Sequence, residues 1–237
     1  MITRGIFRFK QFSIDDSSCA MKVGTDAVML GAWVNMHATG TILDIGTGCG
    51  LLALMVAQRS KGHITAIEID AAAAQQSKEN FSASPWRERI DVIHGAVQQF
   101  HPEKSFDLII CNPPYFKNAL KAPGLQRNLA RHNDTLSFES LLSVVDRLLN
   151  INGTFAFILP VDEAAEFISL ASVYQLHLNR YCTVFSREDK SPNRIMAEIS
   201  RQESEGIKET LCIRDQHNQY TQEYKELTKD FYLHLSE

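Results

Sequence analysis

Asn112-Pro113-Pro114-Tyr115 follows the apolar run Phe106 to Cys111, so the tetrad stands where a buried strand would end. Such a tetrad can hold a planar nitrogen and its ring in one place. The Asn oxygen and a backbone carbonyl are two acceptors, two prolines fix φ at about −65° and stiffen the loop, and Tyr offers a flat face for stacking. A base or an amide carrying an NH2 group is the guest these residue types suit. A second group precedes it. Gly46-x-Gly48-x-Gly50 comes after one apolar run and opens another, the context in which glycines let a ligand approach the backbone closely. A dinucleotide fingerprint needs G-x-G-x-x-G, and here its third glycine falls on Leu51, which disfavours nicotinamide or flavin binding. Asp44 lies just before the glycines. Glu68 closes the next strand, where a carboxylate can hydrogen-bond a ribose diol. An isolated glycine turn is often only a turn, but with both acids in register it points to a nucleoside ligand.

The elements that must position these residues alternate. From Thr41 to about Pro160, short β-branched runs take turns with longer helical ones, as in a doubly wound parallel sheet. Strands are predicted at Ile42–Ile45, Ile64–Glu68, Ile90–Ile93, Phe106–Cys111 and Phe155–Leu159, the last preceded by a turn at Asn152-Gly153. Helices are predicted at Leu51–Gln58, Asp70–Phe81 with Asp70 as N-cap, Phe138–Leu149 and Asp162–Tyr174. From His177 the rhythm changes. Leu178–Ser186 and Ile195–Ser200 flank a charged, Pro-containing loop and form a terminal antiparallel hairpin, an addition common on mostly parallel sheets. A short strand near Leu211–Ile213 and a helix from Thr221 to Leu235 end the chain. Phe7, Phe9 and Phe12 read as core or hairpin packing.

Composition narrows the classes. The 237 residues are enough to bury a sizeable core, and with no linker in view one domain over 1–237 is expected. Apolar residues make up 44% and charged ones 22%, which places the chain among globular proteins rather than disordered ones. No apolar run nears the ~18 residues of a membrane span, and Met1 to Lys10 lack a secretory h-region, so a cytoplasmic protein is expected. Five scattered cysteines without a C-x-x-C pair read as reduced small hydrophobes, and the eight histidines have no metal-ligand spacing, so no metal is expected. A net charge of −4 gives no global basic footprint, so any polyanion must meet a local patch.

Taken together, Asp44 to Gly50, Glu68 and Asn112 to Tyr115 resemble the class I S-adenosylmethionine-dependent methyltransferases of the amino-methylating group. The resemblance implies a Rossmann-like, seven-stranded, mostly parallel α/β sheet with the C-terminal antiparallel hairpin. By it, Asp44, Gly46, Gly48 and Gly50 flank the methionine part of S-adenosylmethionine and Glu68 takes the ribose hydroxyls. Asn112 and the Pro113 carbonyl accept the amine hydrogens, while Pro114 stiffens the loop and Tyr115 stacks on the base. Many relatives carry an acid after the third strand for the adenine amine; here that stretch is His94-Gly95-Ala96-Val97, leaving the contact to backbone or Gln98.

The N-terminal segment narrows the resemblance. Lys10-Gln11-Phe12 and Cys19 through Trp33, with Ser84-Pro85-Trp86, Gln126 to Arg131 and Phe231-Tyr232, are similar to bacterial methyltransferases acting on N6 of adenosine 37 in valine tRNA. Residues 1–40 then form an extension contributing to the cofactor and substrate site. Thr25 or Asp26 would N-cap a helix whose positive end suits the cofactor carboxylate; the plain alternative is a cap and nothing more. Lys117, Lys121, Arg127 and Arg131 follow the tetrad with no acid among those four and would form a basic rim for tRNA phosphates rather than a merely solvated face. Arg187, Lys190 and Arg194 are weaker candidates, diluted by Glu188 and Asp189. The reading is a tRNA adenine-N6 methyltransferase, with a monomer favoured. The alternatives are another amino acceptor (rRNA or DNA adenine, or a release-factor glutamine) and a catalytically silent RNA-binding module. The residues before Ile42 are too few for the helical domain of the glutamine enzymes, and no separate DNA target-recognition domain is visible.

Overall fold

The computed structural model describes residues 5–36, 40–113 and 136–234. Among these, a two-stranded hairpin of β1 (Ile6–Arg8) and β2 (Ser13–Asp15) precedes α1 (Thr25–Trp33). The alternation then begins: β3 (Thr41–Ile45), α2 (Leu51–Arg59), β4 (His63–Glu68), α3 (Ala71–Ser82), β5 (Ile90–His94) and β6 (Phe106–Cys111). After them come α4 (Phe138–Leu148), β7 (Leu149–Pro160), α5 (Val161–Ala171), β8 (His177–Phe185), β9 (Pro192–Ser200), β10 (Ile207–Cys212) and α6 (Gln222–Thr228).

The main sheet has the order β10-β8-β9-β7-β6-β3-β4-β5. Only β9 runs against the rest, pairing antiparallel with both β7 and β8. The predicted hairpin is therefore present, and the short strand expected near Leu211–Ile213 is β10, parallel to β8, so the sheet has eight strands where the resemblance implies seven. Because helices cover both faces, the central strands are mostly apolar instead of alternating. Successive residues still divide between two cores. Ile42 and Ile110 join Met29, Leu54 and Tyr224 on one face, while Leu43 and Ile109 join Leu141, Phe157 and Phe167 on the other.

Most element ends agree with the periodicity, and caps explain them. The Asp70 carboxylate accepts from the Ala73 amide at 2.9 Å, and Ser137 Oγ accepts from the Ser140 amide at 3.1 Å. Three ends differ. Asn152-Gly153 is not a turn: β7 begins at Leu149, and a register shift opposite Phe106 and Leu108 absorbs the extra residues. Gly153 is needed there because a Cβ would lie 2.8 Å from the Phe106 carbonyl oxygen. The helix predicted to Tyr174 stops at Ala171 and tightens into a 3-10 turn over Ser172–Tyr174. The last helix ends at Thr228, because the following residues turn back to the N-terminal hairpin. There the Lys10 amide donates to the Phe231 carbonyl at 2.8 Å, and Phe9 bridges Tyr232.

That return closes an aromatic cluster in which Phe9 stacks on Phe12 and Tyr232, with Phe9 and Phe12 buried. At the C-terminal end of α1, Arg180 lies 4.0 Å over the Trp33 ring and bonds both oxygens of Glu209, at 3.1 and 3.2 Å. Its Nη1 also donates to the Trp33 carbonyl at 3.1 Å. The N-terminal helix is thus fastened to the β8–β10 end of the sheet.

Candidate active site

A doubly wound sheet binds ligands beyond the carboxyl ends of its strands where the strand order reverses. Here the reversal falls at β3, with β4 on one side and β6 on the other. The glycine loop leaves β3 and Asn112 leaves β6, so the two meet at one crevice. A cavity of about 510 Å³ opens there, and its lining includes Thr25, Asp26, Gly46, Gly48, Asn112 and Arg194.

The loop is held rather than loose. Gly46 and Thr47 amides both donate to the Ile67 carbonyl, at 2.9 and 3.1 Å, and the Gly50 amide donates to the Thr47 carbonyl at 2.8 Å. Gly46, Gly48 and Gly50 have φ of 70°, 56° and 89°, in the left-handed region that favours glycine. Their surroundings divide them. Among the described residues a Cβ on Gly46 or Gly48 would meet nothing within 4 Å, whereas one on Gly50 would lie 2.3 Å from Phe81 Cε1. The first two face the cavity and the third packs on α3.

Both acids brace the loop. Asp44 is fully buried, and its Oδ2 accepts from Thr47 Oγ1 at 2.6 Å, while its Oδ1 has no partner among the described residues. Burial pushes its carboxyl up to about 7; the Thr47 hydroxyl and the nearby Ala53 amide oppose that rise, and the Glu68 charge adds to it. Glu68 Oε2 accepts from the Gly48 amide at 2.8 Å and Oε1 from the Asp70 amide at 3.0 Å. Beyond Glu68 a smaller recess of about 60 Å³ shares Gly46 with the main cavity and is lined by Ile69, Ala96 and Gln98. Gln98, the residue offered for the position where an acid is missing, is therefore at hand.

Burial of the Asp44 carboxyl makes stability depend on pH. Its folded carboxyl near 7 lies above the ordinary 3.8, so stability falls as pH rises from about 4 to about 7 and the loss is complete above that. The full difference is about 4 kcal/mol. Asp44→Asn keeps an acceptor for Thr47 and has no charge to bury. In thermal melts without ligand, its advantage over the wild type should widen between pH 5 and pH 8 by about 3 kcal/mol. A margin that stays constant with pH would refute the assignment.

At the end of β6, Asn112 is half-buried, yet its Oδ1 is closed off from solvent and has no partner among the described residues. Pro113 is buried beside it. Pro114, Tyr115, Lys117, Lys121, Arg127 and Arg131 lie outside the described residues.

One expectation fails at α1. Neither Thr25 nor Asp26 is the N-cap; Gly24 is, without a side-chain bond. The Asp26 carboxylate is taken by Arg194, whose Nε donates to its Oδ2 at 2.8 Å across from β9. Thr25 and Asp26 still line the cavity, now as its rim, and Arg194 joins them there instead of standing on an outer loop.

Asn80 is the residue the reading missed. Buried on α3, it accepts from the Asp15 amide at 2.9 Å and donates to the Asp15 and Cys49 carbonyls, both at 2.8 Å. It ties the N-terminal hairpin to the glycine loop, which supports the extension's part in the site. An Asn in the last turn of the helix, one residue before its expected end at Phe81, was the available signal. All five cysteines are free, and four of them are buried.

Fold and crevice together define a class of enzyme. Residues 18–152 match the family described as "Methyltransferase small domain", and the chain belongs to that family, within it to the tRNA1(Val) (adenine(37)-N6)-methyltransferases. A relative of that description from Bacteroides thetaiotaomicron is 46% identical over 97% of this chain and 98% of its own length. Another, from Tolumonas auensis, is 44% identical over 97% and 98%. The sheet is also similar to that of a predicted O-methyltransferase from Agrobacterium tumefaciens, with a TM-score of 0.67 and 18% identity over 87% of this chain and 96% of the other, a likeness of fold.

Proposed function

We propose that this chain transfers a methyl group from S-adenosylmethionine to N6 of adenosine 37 in the anticodon loop of valine tRNA. The observation that carries the reading is the Asn112 acceptor, shut off from solvent with no partner among the described residues, at the mouth shared with the glycine loop. The crevice fits the methyl donor: the Asn112 acceptor, without a partner among the described residues, stands at its mouth, and Gly46 and Gly48 leave open space along the backbone. Asp44 and the loop would hold its methionine part, Thr25 and Asp26 the rim, Glu68 the ribose, and Ile69, Ala96 and Gln98 the adenine. When bound, the cofactor supplies an electrophilic methyl on a sulfonium.

The chain's own groups account for the rest. An exocyclic amine is a poor nucleophile because its lone pair is delocalised into the ring. Asn112 Oδ1 and the Pro113 carbonyl accept its two hydrogens, which favours sp3 character and aims the lone pair. Positioning and fixed dipoles then supply most of the acceleration, and no strong base is required. Pro114 stiffens the loop, and Tyr115 stacks on the base with about 1–3 kcal/mol. An anticodon-loop base is already unpaired and costs little to extrude. Lys117, Lys121, Arg127 and Arg131 are proposed phosphate contacts.

Among the described residues no helix is long and apolar enough to cross a membrane, and no group of His, Cys, Asp or Glu is placed to hold a metal. We assign the enzyme to the cytoplasm as a single-domain monomer over 1–237. The deciding experiment incubates it with labelled cofactor and unmodified valine tRNA, then digests the RNA to nucleosides. N6-methyladenosine at position 37 is expected; label at another position, or none, refutes the substrate.

A further inference from the structure

A second cavity, about 490 Å³, lies against the first. Thr25 and Asp26 belong to both walls. Its far side is built by the turn between β8 and β9, carrying Arg187 and Lys190, and by the segment after β10, carrying Arg214 and Tyr220. The volume suits a nucleotide-sized group.

Its chemistry is cationic and aromatic. The Asp26 carboxylate on the shared wall is already engaged by Arg194. Lys190 is exposed at the opening, and Asp189 fixes the Arg187 guanidinium on two nitrogens. Arg214 lies 4.0 Å over the Tyr220 ring, which itself stacks on Tyr224 at 5.2 Å with the planes 16° apart. The Arg214 Nη1 bond to the Asn218 carbonyl, 2.6 Å, fixes that stack from the other side. A rigid guanidinium over an aromatic pair is a step on which a base can stack, and the two cations beside it suit phosphates.

We propose that this groove is an RNA cleft that takes the strand flanking the methylated base, with Arg187 and Lys190 on phosphates and the Arg214–Tyr220 stack under a neighbouring base. The proposal rests on the tRNA reading above. It follows from the shared wall: a base inserted toward Asn112 leaves its own strand at the Thr25–Asp26 rim, and the groove begins there. Glu188 and Asp189 lie outside the lining, and Asp189 takes Nε and Nη2 of Arg187, which leaves its Nη1 and the Lys190 ammonium for phosphates.

The test measures binding of a labelled valine anticodon stem-loop, and its methylation, by the full chain and by Arg187→Ala/Lys190→Ala. The double variant should bind the RNA about tenfold more weakly and show a matching rise in its KM. Two lost phosphate contacts, at about 0.7 each on a single strand, should flatten the slope of log affinity against log salt by about 1.4. The cofactor KM, the kcat at saturating RNA and the melting temperature should stay within twofold or unchanged, and Lys78→Ala on α3 should match the wild type throughout. Arg214→Gln should add a further rise in KM for RNA alone. A double variant with wild-type affinity and salt slope, beside a wild type that methylates the stem-loop, overturns the cleft and leaves the tRNA reading standing. A wild type that neither binds nor methylates it overturns both.

Discussion

Asn112→Ala lowers methyl transfer by about 10³-fold, the scale seen when a preorganised hydrogen-bond partner is removed from a reacting group. Cofactor affinity changes by less than about threefold, since Asn112 only borders the cavity whose floor is the glycine loop. The melting temperature does not fall. A buried acceptor such as Asn112 Oδ1, without a donor among the described residues, costs about 1–3 kcal/mol in the folded protein, and Ala relieves that cost. A structural Asn would behave in the opposite way, losing bonds and stability together. Asn112→Asp keeps an acceptor oxygen at the same place and retains turnover well above the Ala variant, whereas Asn112→Leu does not. Single-turnover rates, calorimetric titration of the cofactor and thermal melts of the variants check all of this. An active Ala variant, or one that melts lower with cofactor binding lost, would remove the amine clamp.

How much of this was legible depended on whether a residue's role was local. The strand Phe106–Cys111 and the Asp70 cap follow from short-range pattern and chemistry, and both stand as predicted. The glycine spacing and the tetrad were also visible, because such turns must be written in adjacent residues. Relations across the chain were not. Nothing near Asp26 says that Arg194 will take its carboxylate, since 168 positions separate them and only the sheet order joins them. Asn80 is the same case: its partners Asp15 and Cys49 come from the hairpin and the loop, and helix periodicity says only that it faces inward. The shortened last helix depends on Phe9 and Lys10, at the other end of the chain. The break at Asn152-Gly153 was misread because a close approach to the Phe106 carbonyl and a true turn both call for glycine.

The glycine loop yields the second large effect, and it separates folding from binding within five residues. Gly48→Ala puts a methyl where no atom of the described residues lies within 4 Å and where the cavity opens. In the free protein it costs only the left-handed backbone term, about 1–2 kcal/mol. If the cofactor fills that space, the same methyl overpacks the complex by a further 1–3 kcal/mol or so, which is about 5- to 150-fold in affinity. Gly50→Ala acts elsewhere. Its Cβ would fall 2.3 Å from the Phe81 ring, so the backbone term and the overpacking combine in the free protein, about 2–5 kcal/mol of stability. Whatever folded Gly50→Ala remains should bind cofactor far better than Gly48→Ala does, because Gly50 points away from the cavity. Denaturant unfolding paired with calorimetric titration resolves the two. Equal losses of affinity in both variants, or a Gly48→Ala protein that binds normally, would mean that the loop shapes the fold without lying along the methyl donor.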